Sequence, residues 1–143
     1  MEMPAGCFYQ KMGSLIFLGH AYYHAGNFFK AEENYVKASL MTLSVRDPLI
    51  CLQEFYYNTK RWHACIDAGL RALDIQKMIT YWYEDAAYYK DRPHDFLGVA
   101  YFNIGDYKNS LKHVDLALSF NPDDARLKGN RDFIVNLLGK EHE

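Results

Sequence analysis

Residues 18–38 read LGHAYYHAGNFFKAEENYVKA, and residues 97–117 read LGVAYFNIGDYKNSLKHVDLA. The two stretches align without a gap. Leu18-Gly19, Tyr22, Gly26, Phe28, Ala31, Tyr35 and Ala38 of the first match Leu97-Gly98, Tyr101, Gly105, Tyr107, Ser110, Val114 and Ala117 of the second. Between them Leu52, Tyr56, Trp62, Cys65, Gly69 and Ala72 form a weaker copy, 34 residues after the first. Each copy reads as two helices around a turn. In the first, Leu15, Leu18, Tyr22 and Ala25 recur at helical spacing and predict a helix over about 14–25. Gly26-Asn27 supplies the turn, since glycine accepts positive φ and asparagine tolerates it. A second helix follows over about 28–42, with Ala31, Tyr35 and Ala38 inward. The small residues Gly19, Gly98, Ala31, Ala38 and Ala117 let the paired helices approach closely, and a large residue there would overpack the joint at a cost of roughly 1–3 kcal/mol.

A 34-residue period with these residues is identified as the tetratricopeptide-repeat signature. The resemblance implies an all-α solenoid of three helix-turn-helix repeats plus a C-terminal capping helix. The repeats are expected at about 12–45, 46–79 and 91–124, with an irregular N-terminus at 1–11. Asp47-Pro48 opens the second repeat and Asp91 with Pro93 opens the third. In both, aspartate is expected to cap the helix and proline to occupy its first turn. The second repeat's first helix should end near Asn58, and its second should run from Trp62 towards Met78. Lys60 stands where the other copies have a turn glycine, which makes the middle copy the least regular. The third repeat starts 11 residues late, and the extra stretch 80–90 reads TYWYEDAAYYK, five of them Tyr or Trp. Its helices should run to about Ile104 and from Tyr107 to about Phe120. After Asn121-Pro122-Asp123-Asp124 a last amphipathic helix, Ala125 to Leu138, carries Leu127, Ile134 and Leu138 on one stripe. It lacks a partner and reads as the cap of the open end, with Gly139 and the charged tail ending it.

The chain has 143 residues, enough for one domain with a core. Charged residues are 24% and aromatic residues 16%, with 12 Tyr and 9 Phe, and that aromatic surplus predicts a contact face. A net charge of -2 argues against nucleic acid as the main partner. Cys7, Cys51 and Cys65 are odd in number and lack CxxC spacing, so a reducing, cytoplasmic setting is expected, without disulfides or structural zinc. No apolar run is long enough to suggest a membrane span.

The first helix of each such repeat lines the concave face. The candidate partner-binding residues are therefore Phe17, His20, Tyr23 and His24 from the first repeat, and Glu54, Tyr57 and Asn58 from the second. Arg92, Phe96, Val99, Phe102 and Asn103 come from the third. This aromatic, weakly polar set suits a peptide, a helix or a neighbouring domain. Some of these aromatics could instead pack on the cap or the insertion. The chaperone-binding class of these repeats clamps a C-terminal carboxylate with Lys, Asn and Arg. The corresponding positions here hold Ile16, His20, Cys51, Arg92 and Phe96, which argues against chaperone tails.

His20 and His24 stand four apart on one helix, a metal-chelating spacing, but no HExxH motif or third ligand accompanies them. No metal or cofactor is expected. Asp123-Asp124 and Glu84-Asp85 read as turn and cap residues. No GxSxG, Walker loop, GxGxxG or DxD is present, and the chain reads as a non-enzyme. A narrower resemblance lies in Pro93-His94-Asp95-Phe96-Leu97, Gly105-Asp106-Tyr107 and Asn121-Pro122-Asp123-Asp124 with Arg126-Leu127 and Asn130. After an aromatic insertion, this run is similar to the repeat region C-terminal to the catalytic domain of some bacterial family 2 glycosyltransferases. It covers about residues 46–138. The resemblance implies an accessory module of a sugar-transferring enzyme, serving homodimerisation or acceptor-protein binding.

Overall fold

The structure, a computed structural model, describes residues 5–76 and 86–141. Among them are seven α-helices and no strand. They are α1 (Ala5–His24), α2 (Phe28–Ser39), α3 (Asp47–Asn58), α4 (Trp62–Leu73), α5 (Arg92–Asn103), α6 (Tyr107–Phe120) and α7 (Ala125–Glu141). A short 3₁₀ turn, Ala86–Tyr89, precedes α5. The helices form three antiparallel pairs, α1/α2, α3/α4 and α5/α6, stacked in chain order with α7 on the last. The first helices of successive pairs touch, α1 to α3 and α3 to α5. No comparable contact joins α2 to α4 or α4 to α6 among the described residues, so the stack curves with α1, α3 and α5 on its inner side.

The turns show why all three copies fold alike. Gly26 and Gly105 sit at φ 81° and 82°, and the amides of Asn27 and Asp106 reach back to Tyr22 and Tyr101 at 2.9 and 3.0 Å. Asn27 and Asp106 then cap the next helix, accepting from the amides of Lys30 and Asn109, both at 3.2 Å. Lys60 adopts the same left-handed backbone at φ 59°, and the Arg61 amide reaches Tyr56 at 2.9 Å. The middle turn keeps its geometry without glycine and without a side-chain cap. Glu32 compensates there: it accepts from the Tyr56 hydroxyl at 2.8 Å and from Arg61 at 2.5 Å, binding the first pair to the second.

Several expected boundaries move. α1 begins at Ala5, not near Ser14, so residues 5–11 are helix rather than irregular. The reason is the Met12–Ile16 stripe, which is buried and carries the helix backward. α2 stops at Ser39, short of Thr42. α4 stops at Leu73, and Met78 lies outside the described residues. Arg46, not Asp47, precedes α3; Asp47 is buried in its first turn. Asp91 precedes α5 but makes no capping bond, because its carboxylate accepts from the Asn121 amide at 2.8 Å instead. α7 runs past Gly139 to Glu141. α6 has its expected span. Of the insertion, only 86–90 is described, and it runs back onto the core. Tyr88 is buried with Leu49, Ile50, Ala72 and Ile75.

Helices α1 and α2 approach closely at Gly19. A Cβ there would lie 2.5 Å from the Tyr35 ring, itself fixed against Phe55 at 5.8 Å between centroids. In the third pair, His94 and His113 share a hydrogen bond between their Nδ1 atoms at 3.0 Å. One ring must donate and the other accept, so the bond needs the accepting ring neutral. His113 is 4% exposed and stacked on Tyr101. Burial, helped by the neighbouring His94, pushes its pKa down to about 4.

Two predictions follow from this packing. Gly19→Ala lowers the urea midpoint despite alanine's helix preference of about 1 kcal/mol. Gly129→Ala in α7, where a new Cβ meets nothing within 4 Å, raises it. Movement of both midpoints in the same direction would contradict the close-approach reading. For His113 the folded-state pKa lies below the unfolded one, so the unfolded chain binds more protons. Its contribution is complete above pH 6.5 and is lost as pH falls towards 4. Up to about 3 kcal/mol disappears over that window. Urea titrations at several pH values should show His113→Phe losing less stability on acidification than the parent chain, and equal slopes would refute this.

Candidate functional site

The inner side of the stack holds a cleft of about 400 Å³ between α1 and α3. His20, Tyr23 and His24 form the α1 wall, and Glu54 and Asn58 the α3 wall. Tyr35, Cys51 and Phe55 form its floor, each no more than 3% exposed. These walls follow from helical spacing: 20 to 24 and 54 to 58 are one turn each, and α1 and α3 present those turns to one another. The floor residues belong to the repeat core and read in the sequence only as core. Tyr35 is a signature position, and Phe55 precedes the signature Tyr56.

Aromatic contacts set the shape. Tyr23 stacks on Phe28 at 5.5 Å and meets Phe55 edge-on at 6.2 Å. The Tyr35 hydroxyl lies 2.6 Å from His20 Nδ1, which orients that ring. Glu54 is half-buried and Asn58 exposed, and neither side chain has a hydrogen-bond or ionic partner among the described residues. Cys51 and Cys65 are buried free thiols, and burial pushes Cys65 up to about 12, so it is held as the unreactive thiol.

The remaining expected groove residues lie outside this cleft. Phe17 is 71% exposed on the same stripe as His20 and His24, outside the cleft lining. Tyr57 and Phe96 pack together, centroids 4.8 Å apart, across α3 and α5. The Arg92 guanidinium lies 5.5 Å from the centre of the Tyr88 ring. Phe102 packs on Phe133 of α7 and on Tyr107. Val99 joins it in lining a second, smaller cleft of about 250 Å³ under α7. Asn103 is exposed and bonds back to its own helix at Val99. The inner side is therefore divided: among the described residues no further element covers the α1–α3 half, and the α5 half is occupied by α7 and the end of the insertion.

The fastening of α7 explains the residues at the C-terminal end. Arg126 makes a two-pronged ion pair with Asp95 of α5. Asp124 caps α7 by accepting from the Leu127 amide at 3.1 Å, Leu127 is buried, and Asn130 lines the cleft beneath. The pieces Pro93–Leu97 and Asn121–Asn130 thus meet as one joint. Among the described residues no group of three or more His, Cys, Asp or Glu converges as metal ligands. No helix among them is long and apolar enough to cross a membrane.

Comparison with solved structures places this arrangement. The first TPR of Spaghetti (RPAP3), bound to the HSP90 peptide SRMEEVD, superposes with a TM-score of 0.72 over 91% of this chain and 97% of that one, at 16% identity. Two crystal structures of MamA superpose at 0.65 with 21% identity, covering 90% and 87% of this chain and 70% and 72% of theirs. The chain has the tetratricopeptide-repeat fold. No protein-family model matches the sequence, and no curated protein does. The likeness is one of fold.

Proposed function

We propose that this tetratricopeptide chain is a non-catalytic protein-interaction module whose α1–α3 cleft receives a peptide segment. The observation that carries the reading is the division of the inner side. Where α5 is covered by α7, the α1–α3 half leaves Glu54 and Asn58 without partners among the described residues, above an aromatic floor. Protein recognition concentrates on this combination, an apolar floor with a few unpaired polar groups at its rim. That a repeat domain of the same fold is bound to a peptide in its own structure supports the class of partner. The buried thiols suit a reducing compartment such as the cytoplasm. Of the residues that carry the glycosyltransferase likeness, Asp95, Asp124, Arg126 and Leu127 fasten α7, while Gly105 and Asp106 form the turn and cap between α5 and α6.

His24 and Asn58 are both exposed on opposite walls and support no core contact beyond the Tyr23–His24 ring pair. Heptapeptides selected from a random display library on the whole chain should bind His24→Ala/Asn58→Ala at least about tenfold more weakly in titration calorimetry, a loss of about 1.4 kcal/mol. Circular dichroism should be unchanged. Equal affinity for the parent and the double variant would remove the cleft from this role.

A further inference from the structure

Resting on the reading of the cleft as a peptide site, we infer that its occupant is a cation, the side chain of an arginine or lysine in the bound segment. Two independent observations point there. The first is charge. Among the described residues that line the cleft, Glu54 carries the one formal charge, and no lysine or arginine is present. Glu54 is half-buried with no ionic partner among the described residues, so an incoming ammonium or guanidinium gains a charge-assisted hydrogen bond without displacing an existing one there. The Asn58 side-chain oxygen is a second acceptor one helical turn on. The aromatic edges and faces of Tyr23 and Phe55 suit the alkyl stem and the delocalised charge of such a side chain.

The second observation is the direction of the helices. His20–His24 is the last turn of α1, and Glu54–Asn58 is the last turn of α3. Two helix C-termini, the negative ends of their backbone dipoles, therefore flank one cleft. The last turn of α3 contains no basic residue to neutralise that end. His24 stands in the last turn of α1, so the field of the α3 end is the one left free to favour a positive guest.

A carboxylate finds the opposite. Of the positions that clamp a chain terminus in the chaperone-binding class, Ile16 and Cys51 are buried and apolar, and Phe96 is packed on Tyr57. Arg92 lies over Tyr88. A free C-terminus here would meet Glu54 and two helix C-termini without a cation.

The test uses heptapeptides selected on the intact chain, resynthesised with amidated C-termini. The expected result is enrichment of one basic position. Replacing that residue by glutamine, or Glu54→Gln in the protein, should each weaken binding about tenfold or more. Combining the two should cost no more than either alone, the signature of one shared contact. Acetylating the peptide N-terminus should change nothing, and Glu54→Gln should keep the parent's helicity and thermal midpoint. Selection of acidic peptides, dependence on a free C-terminus or on the terminal amine, or indifference to Glu54→Gln would each overturn the cation assignment while leaving peptide binding intact. Failure of any heptapeptide to be enriched would remove the peptide-binding reading and the assignment with it.

Discussion

The buried guanidinium of Arg46 is the joint on which the stack depends. Arg46 is 7% exposed at the start of α3. It donates to the carbonyls of Ile75 and Leu73 at the end of α4 and of Tyr88 before α5, the last at 3.2 Å. Its backbone amide donates to the Tyr89 hydroxyl at 2.9 Å, and that ring lies 4.8 Å from its guanidinium carbon. Burying a charge costs several kcal/mol unless its donors are satisfied, and three carbonyls with an aromatic face meet that condition. One side chain thus ties the end of α4 and the residues just after it, together with the end of the insertion, to the start of α3. The third pair can then stack on the second as though the 34-residue period were unbroken.

From Arg46 the order passes along α3. Nearly every residue from Asp47 to Tyr56 is buried, with α2, α4 and α5 around it. Gln53, fully buried in its middle, donates to the Pro93 carbonyl at 3.1 Å and ties the second pair to the third. Only the last turn of α3 emerges, and it emerges facing the last turn of α1. The cleft is consequently a product of stacking: its floor is core, its walls are where the core runs out. A rigid floor beneath unpaired rim groups is the arrangement that lets a small number of contacts carry binding, because little of the site must be ordered on association.

The legible and illegible parts of this structure divide along a physical line. Pairing, turns and inner faces depend on residues within one repeat, and the positions of Gly26, Gly105, Tyr35 and Ala117 announce them at fixed spacing. His20, Tyr23, His24, Glu54 and Asn58 follow from that register and do share a cleft. What depends on contacts between distant segments was not legible. Phe102 is taken by Phe133 thirty-one residues later, and Arg92 by Tyr88 of an insertion without a counterpart in the repeat. Asp47 and Asp91 look like caps by their position before proline, yet one is buried and the other serves Asn121. The extension of α1 to Ala5 rests on Met12 and Ile16, whose burial precedes the first signature residue. The short motifs Pro-His-Asp and Asn-Pro-Asp-Asp marked a subgroup in the sequence, and in the fold they meet as the fastening of α7.

The central claim is that the open α1–α3 half of the inner side, and not the α7 end or the outer helices, is where this chain meets a partner. Amide and side-chain resonances followed by NMR during titration with a selected heptapeptide test it most directly. The account predicts that the largest shifts fall on His20, Tyr23, His24, Glu54 and Asn58. Shifts centred on Phe102, Asn130 and Phe133 beneath α7, or on the exposed Phe29, Lys37 and Leu70 of α2 and α4, would contradict it.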